Sequence, residues 1–66
     1  MDKQFWDTRE TAKFIGIQPG TLEIWRVQGK GPRFVKFGRA VRYSRGDVLT
    51  WVDAQVRHST SEEVSR

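Results

Sequence analysis

Apolar residues in the first half of the chain recur at helical spacing in two short stretches divided by a glycine. Ala12 and Ile15 lie three apart on one face, with Phe14 beside them. Leu22 and Trp25 repeat that spacing further on. The first stretch predicts a helix starting at Asp7, which stands in capping-box relation to Glu10. The Asp7 carboxylate can accept from the Glu10 N–H while Glu10 reaches back to the Asp7 N–H. Trp6 precedes the cap, where an apolar contact would fix the direction in which the chain enters. Gly16 supplies the left-handed conformation of a C-terminal cap, and Ile17 follows as an apolar residue inside the turn. Gln18-Pro19 opens the second helix, with proline at the first helical position, and the helix runs to Val27 or Gln28. Gly20, Glu23, Ile24 and Val27 fall on its other face, a mixture of small, acidic and aliphatic side chains that is odd for a face meant only for water. Helix, glycine-bearing turn and helix form a helix-turn-helix pattern.

Beyond Gly29-Lys30-Gly31-Pro32 the period changes from helical to alternating. Val35 and Phe37 alternate with Phe34 and Lys36, and Val41 and Tyr43 alternate with Arg42, on either side of Gly38. If all four inward candidates face the core, Phe37 opposes Val41 and Val35 opposes Tyr43. That register makes Gly38-Arg39-Ala40 the loop and sets Lys36 opposite Arg42. Three-residue loops usually want glycine last rather than first, so the pattern leaves the turn type open. Ser44 then begins a third helix, with Asp47 at capping-box spacing. Val48, Trp51 and Val52 face inward, with Leu49, Gln55 and Val56 nearby. The fold class expected is a small α+β winged helix-turn-helix, three helices and a two-stranded hairpin in the order α-α-β-β-α. Its core comprises Trp6, Ala12, Ile15, Ile17, Leu22, Trp25, Val35, Phe37, Val41, Tyr43, Val48, Trp51 and Val52. Residues 1–57 form the domain and residues 58–66, polar and without an apolar period, a flexible tail.

Charge sharpens this picture. The chain of 66 residues has a formal net charge of +4, and residues 33–45 alone hold five Arg or Lys and no acid. Residues 1–32 balance at +1 and residues 46–66 at −2. A basic hairpin on a small helical body calls for a polyanion. With no cysteine there is no disulfide or thiolate metal site. No apolar run approaches the ~18 residues of a membrane span, and Met-Asp-Lys-Gln-Phe-Trp lacks a signal-peptide core. The expectation is a cytoplasmic protein with no membrane partner. No Ser/His/Asp set, carboxylate pair or metal-ligand cluster is present, so the reading gives no enzyme, no cofactor, no metal and no small-molecule substrate. His58 stands alone and is neither ligand nor catalyst.

In a helix-turn-helix protein the second helix enters the major groove. Gln18 and Thr21 would then reach base edges or phosphates from its leading end, and Glu23 would accept from a cytosine amino group. Ile24 and Val27 would meet thymine methyls beside Gly20, and the helix N-terminus would receive a phosphate. Lys36, Arg39 and Arg42 would contact backbone phosphates from the wing, with Arg39 at its tip entering a minor groove. Lys30 belongs with this backbone set. Arg26 is either a phosphate contact or an i, i+3 partner of Glu23. Arg33 and Arg45 flank the hairpin as backbone contacts or as ordinary solvated surface. Trp25 and Trp51 are core residues rather than DNA contacts.

The ordered set Glu10-Thr-Ala12, Ile15-Gly-Ile17, Pro19-Gly-Thr21-Leu22-Glu23, Trp25-Arg26, Gly29-Lys-Gly31-Pro32, Val35-Lys36, Gly38-Arg39, Val41-Arg42-Tyr43, Asp47-Val48 and Trp51-Val52 resembles the AlpA-like and excisionase-type winged-helix family, akin in fold to the MerR-type DNA-binding domain. The resemblance covers about residues 6–56. It implies a non-enzymatic binder of double-stranded DNA from a mobile element. Such proteins act as recombination directionality factors that bind neighbouring sites cooperatively, bend DNA and direct an integrase of the tyrosine recombinase kind toward excision. Neighbouring protomers on DNA and an integrase are the partners implied. Small regulators of integrase or phage promoters share the fold and form the alternative, and a protein-binding adaptor or antirepressor using Ile24 and Val27 a further one. At Ile24 the chain departs from a Thr-Leu-Glu-Arg-Trp-Arg run common in that family. This removes base hydrogen bonds and shifts weight toward backbone contacts and DNA deformability.

Overall fold

A computed structural model describes the backbone of residues 4–64 and the side chains of residues 4–57. The elements run β1 (Phe5–Trp6), α1 (Thr8–Ile15), α2 (Pro19–Gln28), β2 (Val35–Phe37), β3 (Ala40–Ser44) and α3 (Arg45–Val64). Three helices and a hairpin agree with the expected winged helix-turn-helix, and one element is added. The N-terminal segment is a short strand that pairs antiparallel with β3, so the sheet has three strands in the order β1-β3-β2 rather than two.

Local chemistry explains the helix limits. At the start of α1 the Glu10 N–H donates to Asp7 Oδ1 at 2.8 Å, and the Asp7 N–H donates to Glu10 Oε1 at 3.0 Å, closing the capping box. Trp6 turns onto Phe14, with ring centroids 4.9 Å apart. Gly16 ends the helix at φ +90°, and both its N–H and that of Ile17 donate to the Ala12 carbonyl. Pro19 begins α2 and Gly29 ends it in the same left-handed conformation. The third helix begins at Arg45, whose N–H donates to the Gln4 carbonyl at 2.9 Å, and Ser44 is the last residue of β3. Helix α3 continues past the compositional change at Arg57. Residues 58–64 of the expected tail therefore have helical backbone, whereas their side chains, His58's among them, and residues 65–66 lie outside the described residues.

Ala12, Leu22, Tyr43 and Val48 form the buried centre, one from each of α1, α2, β3 and α3. Trp6, Ile15, Ile17, Trp25, Val41 and Val52 pack around it, and Trp51 lies against Trp25 at 5.6 Å between ring centroids. Complete burial of a side chain such as Leu22 is worth roughly 1.5–3 kcal/mol. Two buried residues stand outside the expected core. Thr11 is buried because its hydroxyl donates to the Asp7 carbonyl at 2.8 Å, which removes the cost of hiding it. Pro32 is buried where the chain leaves α2 for the hairpin.

The hairpin register differs from expectation by one residue, with consequences for every side chain on it. Phe37 pairs with Ala40, Lys36 with Val41 and Val35 with Arg42. The turn is the two-residue Gly38-Arg39, and Ala40 belongs to β3. Gly38 has φ +64° and Arg39 does not have positive φ, the requirement of a type II′ turn, which places glycine first. Because paired residues share a face, Val35 and Phe37 lie with Arg42 on the face away from the core. They are 37% and 54% exposed, so neither is a core residue as expected. Phe37 instead meets Phe5 of β1 in a T-shaped contact at 5.4 Å. Lys36 lies on the face of Val41 and Tyr43, so it does not oppose Arg42.

Candidate nucleic-acid interface

Helix α2 turns its Leu22 side inward and leaves the opposite side open. Leu22 is 1% exposed, whereas Ile24 is 56% and Val27 88% exposed. Gln18, Gly20 and Glu23 are exposed as well, and Thr21 is half-buried. The helical period brings Gly20, Glu23, Ile24 and Val27 of the expected major-groove set onto the open side of α2, with Thr21 at its margin and Gln18 in extended backbone just before the helix. A face with two solvent-exposed aliphatic residues in three turns gains nothing from water and is suited to a partner that offers methyl groups.

The N-terminus of α2 is chemically open. Gln18 makes no capping bond with its side chain, and Pro19 has no N–H to satisfy. The Gly20 N–H is an orphan of the first turn, and a Cβ at Gly20 would meet nothing within 4 Å. A phosphate oxygen can approach the backbone here and interact with the positive end of the helix dipole.

The hairpin supplies the cations. Lys30, Arg33, Lys36, Arg39 and Arg45 are exposed, and Arg42 is half-buried. One guanidinium nitrogen of Arg42 donates to the carbonyl of Val41 at 2.8 Å, which draws the group along its own strand. The corrected register distributes the wing's charge: Lys36 on the inner face, Arg42 on the outer face and Arg39 in the turn between them. Arg26, Lys30 and Arg33 meet around a surface cleft floored by Gly29, Gly31, Pro32 and Phe34, at the junction of α2 and the wing.

Arg26 makes contacts within the domain that neither sequence alternative names. Its Nη1 donates to Tyr43 Oη at 3.0 Å and to Thr8 Oγ1 at 3.3 Å, and no ion pair joins it to Glu23 among the described residues. Its guanidinium carbon lies 5.7 Å from the centre of the Phe34 ring. Tyr43 and Thr8 are 17 and 18 residues away, so no local spacing reveals the contact.

No group of three or more His, Cys, Asp or Glu that could hold a metal ion occurs among the described residues, and no helix there is long and apolar enough to cross a membrane. A family model described as a helix-turn-helix domain matches residues 7–56 of the chain. No curated protein matches it significantly.

Proposed function

The chain belongs to the helix-turn-helix domain family, hence binds DNA, and on that premise we propose that it is an excisionase-type recombination directionality factor. It would occupy attachment-site DNA together with neighbouring protomers, bend it and turn a tyrosine recombinase toward excision. The observation that carries this reading is the surface of α2, where Ile24 and Val27 are exposed and the hydrogen-bonding side chains of the expected major-groove set are limited to Gln18, Thr21 and Glu23, with no cation among them. Such a helix reads bases weakly and depends on phosphate contacts and on how readily the duplex deforms. Binding that is selective through shape suits an architectural task better than recognition of one operator.

In this reading α2 lies in the major groove with a phosphate at its N-terminus. The hairpin enters the adjacent minor groove turn-first, led by Arg39. Lys36 on one face of the wing and Arg42 on the other then meet the phosphates of opposite strands, so the wing grips a narrow groove from within. The tyrosine recombinase and attachment sites of the element carrying the gene provide the test. Excision should depend on the added chain, and a circular-permutation gel should report a bend at the bound site. Full excision without the chain refutes the directionality role. Binding without a bend, combined with altered transcription from an integrase promoter, would establish the regulator reading in its place.

A further inference from the structure

We infer that Arg26 sets the angle between α2 and the wing, and that it serves DNA binding as a positioning residue rather than as a phosphate contact. The inference rests on the reading that α2 and the wing engage one duplex. Backbone packing ties α2 to α1 and the sheet to α1 and α3, whereas α2 and the strands approach each other little. The orientation of the wing relative to α2 is carried by α1, which packs on both, by the buried centre that Leu22 and Tyr43 share, and by the polar contact that crosses the gap directly, which Arg26 makes. From α2 its Nη1 donates to Tyr43 Oη on β3 at 3.0 Å and to Thr8 Oγ1 on α1 at 3.3 Å. The guanidinium carbon lies over the ring of Phe34, 5.7 Å from its centre, just before β2 begins. Phe34 in turn lies 6.2 Å from the Tyr43 ring. Tyr43 is 1% exposed, so its hydroxyl is a fixed target on the central strand of the sheet.

Arginine suits this task because one nitrogen, Nη1, donates to both hydroxyls while the guanidinium carbon stays over the Phe34 ring. A duplex presents its major and minor grooves at a fixed separation. A wing held at the matching angle binds without further ordering, whereas a wing free to swing must be ordered on binding. The loss on releasing it is bounded by the strength of the contact that held it, which for a hydrogen bond from a charged donor amounts to a factor of about 10 to 150.

Tyr43→Phe tests this directly, because it keeps the buried ring and the Arg26 charge and removes only the accepting hydroxyl. Binding is titrated by fluorescence anisotropy on a random-sequence duplex of about two helical turns, over a range of salt and at temperatures where melting curves show the variants folded. Tyr43→Phe should weaken binding about tenfold. Arg26→Lys keeps the charge but loses the planar group over Phe34 that sets Nη1 between Tyr43 and Thr8, and should weaken binding by a similar factor. The double variant should be no worse than Arg26→Lys alone, because the Tyr43 hydroxyl acts through Arg26. Wild-type affinity for Tyr43→Phe, or for Arg26→Lys, overturns the inference, since a simple phosphate contact survives both changes. Arg39→Ala separates this failure from that of the underlying reading. If it leaves affinity and salt slope unchanged, the wing does not engage DNA and the inference falls with it. If it weakens binding while Tyr43→Phe does not, the inference alone falls.

Discussion

Replacing Gly31 by alanine tests how tightly the passage from α2 to the wing is built. Gly31 has φ +81°, and a Cβ placed on it would lie 3.1 Å from Trp25 Cε3 and 3.5 Å from Trp25 Cβ. The Trp25 ring pairs with Trp51 at 5.6 Å, so any shift away from a Cβ at residue 31 changes that pairing. The left-handed backbone costs a residue with a Cβ about 1–2 kcal/mol. Forcing a methyl into a packed contact adds about 1–3 kcal/mol, for a total of about 2–5 kcal/mol. A domain of this size has about 3–10 kcal/mol of stability in all, and each kcal/mol moves its melting point by about 4–8 °C. Gly31→Ala should therefore lower the melting temperature by at least about 8 °C, read by far-ultraviolet circular dichroism and by tryptophan fluorescence. Gly38→Ala is the matched comparison, because Gly38 also has positive φ, at +64°, but faces open space. It should cost only the backbone part, about 1–2 kcal/mol. A Gly31→Ala protein that melts at or above the Gly38→Ala protein would show that contact with Trp25 contributes nothing and that only the backbone conformation matters.

Three further outcomes are expected. Lys36→Ala should flatten the slope of log affinity against log salt by about 0.9 and weaken binding evenly across sequences; an unchanged slope removes Lys36 from the phosphate set. Ile24→Arg places a cation on an exposed position of α2, so stability should change by less than about 0.5 kcal/mol while the salt slope steepens by about 0.9. An unaltered slope would mean that this face of α2 does not approach DNA. Asp7→Ala opens the capping box at α1 and should cost about 0.5–2 kcal/mol in urea unfolding, with a smaller loss for Glu10→Ala; equal stability of the Asp7 variant and the parent would discount the cap.

Features of this fold that depend on neighbours in sequence could be read from the sequence, and those that depend on distant contacts could not. The Asp7–Glu10 box, the Gly16 cap and the proline start of α2 are settled within four residues, and all three appear as expected. The exposure of Ile24 and Val27 follows from helical period once Leu22 is inside. The hairpin register could not be reached by assigning every apolar residue to the core. A one-residue slip in pairing moves each side chain to the other face, and here turn chemistry outweighed the apolar pattern. Glycine first in the turn was the available signal, since a two-residue type II′ turn demands it. Phe37 is tolerated outside because Phe5 covers part of it, and a two-residue strand such as Phe5–Trp6 is too short for any period to announce it. The contacts of Arg26 were hidden for a related reason, since they join residues that meet only after the helices and sheet have assembled.

Strand β1 has a consequence for solubility. Without it, the five residues of β3 would present a row of unpaired backbone groups, a template on which another chain could add a strand. Phe5 and Trp6 pair with Ser44 and Tyr43 and turn β3 into an interior strand. The margins left open are short: β1 and β2 themselves, two and three residues long, and the stretch 40–42 of β3 that β1 does not reach. Removal of residues up to Trp6 would therefore leave the helix-turn-helix intact in sequence yet expose the strand that carries the buried Tyr43. Such a truncated chain would lose solubility through intermolecular strand pairing before any loss of contact with DNA.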